Sequence, residues 1–358
     1  MNNPACERGR GLNRLGAGHT IRAGVIVATD RFPWDFRMLQ KLIIDADPGI
    51  GDALAIAVAL ADPGLDVLAL TAVGGCVSPM QAGRNLQAIV ETLDPPKWPR
   101  IGVGYSRQRF EEVEEPPSEW HHLHRSLNGP EGLGEWRPTA ADLHHTKDAV
   151  KLMSELSRQY PHEIILLTLG PLSNVELACD LDAEFLARLK GIVCLAGAVS
   201  TPGDVSPTAE FNVHHDPNAA RVVLRFPATK TLVPLDASQR AVLTFEQYDR
   251  MAVSDTSAIG RMLQHLMPFA LRAHHQHLGV EGMRLAEVTA LAAIARPQQF
   301  QRATMALDVE VDGELTRGMT VFDRRLNPAW RNNIDVLSDV DPQGVLDYFT
   351  SMLASASA

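Results

Sequence analysis

Short apolar runs recur along the chain, each ending near Gly, Pro or Asp and each followed by a stretch with helical spacing. "KLIID" leads into "DALAIAVALA", and "DVLALTAVGG" into "PMQAGRNLQAIVETL". "EIILLTLG" leads into "PLSNVELACD", and "GIVCLAG" stands shortly before "EFNVHHDPNAARVVL". Continuous apolar runs alternating with helices imply βαβ units, strands covered on both faces and a mainly parallel sheet. The expected class is therefore α/β: a Rossmann-like open sheet flanked by helices. Residues 241–295 read as mostly helical, and "MALDVEVDGELTRGMTVFDRR" as a late β-hairpin turning at Asp312-Gly313.

The first 37 residues lack this pattern and are rich in Arg and Gly. They are expected to be a disordered extension, or the product of a start codon assigned too early, ahead of one domain over residues 38–358. "AGVIVA" is too short an apolar run for a signal peptide, and no run is long enough for a transmembrane helix, which needs about 18 residues or more. The four cysteines (Cys6, Cys76, Cys179, Cys194) are scattered, which fits reduced thiols and a cytoplasmic setting. With 45% hydrophobic and 21% charged residues the chain has the composition of a globular protein. A net charge of −10 argues against a nucleic-acid polymer as partner. A neutral nucleoside is not excluded by it.

One stretch is unusual. In "DADPGIGDALA" the acids Asp45 and Asp47 close the first strand, and Asp52 falls in the first turn of the following helix. An Asp at a helix N-terminus satisfies exposed N–H groups, which accounts for Asp52 taken alone. It does not account for all three, because clustered carboxylates repel one another unless a positive charge stands among them. A hard divalent cation does account for them, since Ca²⁺ takes oxygen ligands from carboxylates and main-chain carbonyls.

At these residues the chain resembles the inosine-uridine preferring nucleoside hydrolases, whose N-terminal signature DxDPGxDDAxA stands here as "DADPGIGDALA". Further blocks follow in family order: "GGCVSPMQAGRN", "NGPEGLG", "TLGPLSN", "SPTAEFNVHHDPNAA" and "LTRGMTVFD". The resemblance implies calcium held by Asp47, Asp52, the main-chain carbonyl of Leu169 and Glu287, with Asp47 also acting as general base toward water. It further implies that Asp45 orders the cluster, and that Glu210 and Asn212, two apart in an extended segment, grip the ribose. The reaction implied is hydrolysis of the N-glycosidic bond of a ribonucleoside or related N-riboside, with no membrane partner and a homo-oligomeric state, dimer or tetramer.

Several positions depart from the family pattern. Gly51 replaces the first Asp of the DD pair, a change that removes a charged hydrogen bond to sugar of about 1.5–3 kcal/mol. Cys76 replaces an Asn, Asn128 a His, and Asp204 the Asn of a GN pair; all three are expected at the substrate, with Cys76 lining the pocket and Asp204 contacting a sugar hydroxyl from another side. "RLAEVTALAAIA" aligns with the family's HDPxAVA, so Glu287 stands for a calcium-binding Asp and Ala286 for a His that protonates the base in some relatives. His121, His122, His124, His274, His275 and His277 are alternative acids, or structural histidines, and their spacing also raises zinc. Met80, Met153, Met283 and the hairpin's Arg317 and Gly318 read as packing and turn residues. A second reading of the whole is a nucleoside-binding protein that keeps the metal and ribose cradle without turnover. A phosphatase of the haloacid dehalogenase type shares the DxD after a strand, but "DADPGIGD" lacks its other residues.

Overall fold

The computed structural model describes residues 39–104, 119–138 and 147–357. The expected extension over residues 1–37 lies outside the described residues, as do the side chains of residues 119–122, His121 and His122 among them. β1 (Gln40–Ala46) runs into α1 (Ile50–Ala61), and β2 (Leu65–Ala72) into α2 (Pro79–Leu93). β3 (Arg100–Val103), α3 (Glu119–Asn128), β4 (Lys147–Asp148) and α4 (Ala149–Gln159) follow. Next come β5 (Ile164–Thr168), α5 (Ser173–Leu181), β6 (Gly191–Leu195), α6 (Phe211–His215), α7 (Pro217–Arg225), β7 (Lys230–Val233) and α8 (Leu235–Ser238). The helical stretch expected over 241–295 holds β8 (Val242–Leu243), then α9 (Phe245–Asp249) and α10 (Ala258–Leu278), then β9 (Met283–Arg284) and α11 (Ala286–Ala295). β10 (Phe300–Met305), β11 (Leu307–Val309), β12 (Thr320–Phe322), β13 (Ile334–Val340) and α12 (Pro342–Ser357) complete the order.

Nine strands form one sheet in the order β10-β13-β7-β6-β5-β1-β2-β3-β4. All neighbours are parallel except β10 with β13, so the sheet is mainly parallel with one antiparallel edge. From β1 the chain builds outward through β2, β3 and β4, then returns to the other side of β1 with β5 and builds the opposite way. The β1/β5 boundary is thus a topological switch point, where the carboxyl ends of two strands open a crevice.

β1 shows why the strands read as unbroken apolar runs. Leu42, Ile44 and Ala46 enter the core on one face, while Ile43 enters the core on the other. Asp45 falls on the Ile43 side, where α5 packs. α1 is apolar almost all round, as a helix enclosed by protein must be, and it packs against α11 and α12 as well as the sheet.

The late hairpin forms, with β11 and β12 antiparallel, but the tight turn expected at Asp312-Gly313 is a wide loop over residues 310–319. Gly318 donates to the Glu310 carbonyl at 2.8 Å and Glu310 to the Met319 carbonyl at 3.0 Å. A two-residue turn needs positive φ at its centre, and the glycine that takes it is Gly318, at +82°, with the His214 backbone packed against it.

Candidate active site

The crevice at the switch point opens into a cavity of about 950 Å³ counted out to its mouth. Its floor comes from the carboxyl ends of β1, β5 and β6 and its roof from α3 and α10, which pack together. Asp47, Asp52, Leu169, Glu287, Glu210, Asn212, Asp204, Cys76 and Asn128 all line it. Asp45 alone among the expected site residues does not. It is fully buried behind the floor, where one carboxylate oxygen accepts from Thr71 Oγ1 at 2.6 Å and Asn174 Nδ2 at 2.9 Å.

Asp47 follows the end of β1. Its Oδ2 accepts from the Cys76 N–H at 2.6 Å and the Cys76 thiol at 2.9 Å. Glycine backbones close on both oxygens: a Cβ on Gly75 would stand 2.0 Å from Oδ2, and one on Gly170 2.5 Å from Oδ1. The carboxylate therefore sits in a slot that a side chain at either position would fill.

Asp52 is the third residue of α1. Its Oδ2 accepts from the Gly49 N–H at 2.9 Å, which is the capping role legible in the sequence. Its Oδ1 is buried with no hydrogen-bond partner among the described residues. One oxygen of this side chain thus serves the helix, and the other remains for something else.

Burial raises the carboxyl of Asp47 well above its usual range, and the charge of Asp52 raises it further. Burial brings Asp52 to about 6, and burial followed by the charge of Asp52 brings Glu287 to about 8. Burial and then the neighbouring carboxylates push the Cys76 thiol well up, so it stays protonated and donates. Three buried acids at one floor, with the charge of Asp52 disfavouring those of Asp47 and Glu287, is the electrostatic situation that a bound cation relieves.

The extended segment read from the sequence holds for the Glu210 backbone and not for Asn212. Glu210 caps α6, and Asn212 lies inside that helix. Glu210 accepts from the N–H groups of Gly197, Asn212 and Val213, at 2.9, 3.0 and 3.1 Å. Burial, followed by the charge of Asp204, brings its carboxyl to about 8. Asp204 accepts from the Phe211 N–H at 2.9 Å and is raised to about 6 by burial. Asn212 donates from Nδ2 to the carbonyls of Leu169 and Leu195, both at 2.8 Å, while its Oδ1 is buried without a partner. Glu210 and Asn212 still line one cavity, because the N-cap and first turn of α6 stand at its floor.

Asn128 fastens the α3 roof to the floor: its Oδ1 accepts from the Ile50 N–H, at the start of α1, at 2.9 Å. Of the histidines singled out by the sequence, His124 and His274 line the cavity. The His124 ring stacks on Phe211 with centroids 3.9 Å apart, and His274 Nδ1 is bonded to the Ala270 carbonyl. Burial lowers the His274 pKa, which favours a neutral ring. His275 and His277 are exposed, with His275 near Glu281 at 3.3 Å.

Sequence reasoning missed Arg284 and Ser238. Among the described residues Arg284 is the one Lys or Arg lining the cavity, and it attracts Asp204 through space. Ser238 offers a buried hydroxyl with no partner among the described residues. Arg284 opens the quoted "RLAEVTALAAIA" block, three residues before Glu287, so its position was visible. What marks both is the cavity that α8 and β9 share, which no local pattern reports.

The calcium expected from the sequence can be tested against these donors. Among the described residues no three His, Cys, Asp or Glu side chains converge tightly enough to hold a metal ion as they stand, and this applies to zinc as well. The donor chemistry nonetheless suits a hard cation. Every candidate is an oxygen, Asp52 Oδ1 is orphaned in the interior, and the Leu169 carbonyl keeps a second lone pair beyond its bond to Asn212.

Comparison with known proteins agrees with the geometry. The family model of the inosine-uridine preferring nucleoside hydrolases matches residues 42–347. The chain is 32% identical over 324 residues to uridine nucleosidase 1 of Arabidopsis thaliana, covering 88% of this chain and 93% of the relative. It is 30% identical over 318 residues to the pyrimidine-specific ribonucleoside hydrolase RihA of Escherichia coli O9:H4, covering 88% and 99%. Among solved structures it superposes on a plant nucleoside hydrolase, the PpNRh1 enzyme, with TM-score 0.79 and 28% identity over 88% of this chain and 99% of the other. A purine-preferring ribonucleoside hydrolase from Gardnerella vaginalis also gives TM-score 0.79, at 26% identity over 89% and 99%. The switch-point acids, Glu210 and Asn212 at the same cavity, and a match across most of the chain lead to one conclusion: the protein belongs to the inosine-uridine preferring nucleoside hydrolase family and is an N-glycosidase of that type.

Proposed function

We propose that this chain, from residue 38 onward, is one catalytic unit that hydrolyses the N-glycosidic bond of ribonucleosides or a related N-riboside in a calcium-dependent reaction. The observation that carries this reading is the buried, unpartnered Oδ1 of Asp52 beside two further raised carboxyls, Asp47 and Glu287. Asp47, Asp52, Glu287 and the Leu169 carbonyl would hold the ion. When bound, it supplies the positive charge that lets these acids ionise together, and it acidifies nearby water.

The chain's own residues then divide the work. Asp47, clasped by Cys76 and two glycine backbones, is the general base that removes a proton from the attacking water. Its fixed orientation means little is lost in positioning when the sugar arrives. As the glycosidic bond breaks, the ribose gains oxocarbenium character, and the carboxylates around the floor oppose that positive charge. Glu210, Asp204 and the free Oδ1 of Asn212 face the sugar. The stacked Phe211 and His124 rings form an aromatic wall suited to a nucleobase.

The two relatives at 30% and 32% identity carry names that refer to uridine and pyrimidine ribonucleosides, which makes uridine and cytidine the first substrates to try. The test is base release from those nucleosides with calcium and with chelator. Release that needs calcium supports the proposal, and release at an equal rate in chelator sinks it.

A further inference from the structure

Gly51 and Glu287 lie on different helices, α1 and α11, yet they occupy one another's space. A Cβ built on Gly51 would stand 2.0 Å from Glu287 Oε2, 2.3 Å from its Cδ and 2.7 Å from Oε1. The whole carboxyl group of Glu287 therefore fills the volume that any side chain at position 51 would need. Both residues line the cavity, and Asp52 is the neighbour in sequence of one and the electrostatic neighbour of the other.

We infer that Gly51 is a positioning residue: its missing side chain is what admits the longer Glu287 to the cavity floor beside Asp52. The two departures noted in the sequence, Gly for Asp at 51 and Glu for Asp at 287, are then a single compensated exchange. One carboxylate is removed at 51 and one methylene is added at 287, so the floor keeps its acid at 287 and gives up the one at 51 to make room for it. The backbone conformation does not require glycine there. Gly51 has no positive φ, and it sits in the first turn of an α-helix where Ala is at home. The three atoms nearest to that Cβ are the far end of a flexible side chain, which can swing away. A Cβ at 51 should therefore leave the fold intact and expel the Glu287 carboxylate from its place.

The inference rests on the calcium reading above, and its test separates the two. Gly51→Ala, Glu287→Asp and the double variant are compared with wild type by urea unfolding in chelator and by calorimetric titration with Ca²⁺. In the Glu287 background, Gly51→Ala should weaken Ca²⁺ binding by about 10- to 100-fold, the usual effect of disturbing a ligand's support. In the Glu287→Asp background the same substitution should change the affinity less than about twofold, and the unfolding midpoints should show the same non-additivity. Additive effects on both readouts overturn the pairing. Coupled unfolding with uncoupled Ca²⁺ affinity overturns the positioning role. Coupled unfolding in a protein that binds no Ca²⁺ at all supports the steric pairing and overturns the calcium reading instead. Should Gly51→Ala fail to fold alone, rescue of folding by Glu287→Asp supports the pairing, and no rescue overturns it.

Discussion

Cys76 holds Asp47 with two donors on one oxygen, its N–H at 2.6 Å and its thiol at 2.9 Å from Oδ2. The backbone donor survives any substitution at 76, whereas the thiol donor does not. Cys76→Ala should therefore lower kcat by about tenfold with KM nearly unchanged, as expected when a residue that orients a catalytic group is removed. Cys76→Ser, which restores a donor, should recover most of the loss. Steady-state kinetics on the three proteins check this. A KM effect without a kcat effect would place Cys76 against substrate rather than behind the base.

Asn212 ties the ends of β5 and β6 together through the Leu169 and Leu195 carbonyls. Asn212→Ala leaves two buried carbonyls short of a donor. It should destabilise the protein by about 1–3 kcal/mol, the cost of stranding a buried polar group. Asn212→Asp removes both donors and adds an acid to an acidic floor, so it should be worse in chelator and partly relieved by calcium. Urea denaturation of both variants, with and without the ion, measures the difference.

The pH dependence of stability follows from Glu210. Its carboxyl, ordinarily near 4.5, is held at about 8 by burial and then by the charge of Asp204. An acid whose pKa is raised on folding binds its proton more tightly in the folded state. Its contribution is therefore full below 4.5 and is lost as pH rises through about 8. The cation-free protein should lose stability between pH 5 and pH 8.5, and Glu210→Gln should flatten that slope. Urea midpoints across this range give the answer, and a slope unchanged by the substitution would contradict the assignment.

Away from the cavity, Tyr348 of α12 donates its hydroxyl to the buried Asp62 at 2.8 Å, and Arg296 stacks over the Tyr348 ring 4.5 Å from its centre. The contact clamps the last helix to the end of α1. Tyr348→Phe should lower stability by about 1–3 kcal/mol while leaving kcat and KM unchanged. An altered KM would show that the clamp reaches the site.

The sheet was legible because parallel strands buried on both faces must be continuous apolar runs, as in "KLIID" and "EIILLTLG". The acids at the ends of those runs marked the switch point for the same reason: nothing in a core explains them. Other features depended on contacts the local pattern does not carry. Asp45 ends the same run as Asp47, yet it meets Thr71 and Asn174 behind the floor and not the cavity. Glu210 is extended as expected, but Asn212 stands in the first turn of a helix, and the N–H groups that Glu210 accepts from have no sequence signature. The hairpin turn moved because positive φ falls to Gly318. Gly51 read as a lost sugar contact, and only the packing of α1 against α11 shows what occupies its place.

The most direct measurement is release of free base from uridine, cytidine, inosine and adenosine, followed by chromatography, with calcium, with chelator and with Asp47→Ala. Release should require calcium, return when calcium is restored after chelation, and fall by about 10²-fold or more in Asp47→Ala, as loss of a general base should give. Release that persists in chelator, or that survives in Asp47→Ala at the wild-type rate, would contradict the proposed reaction.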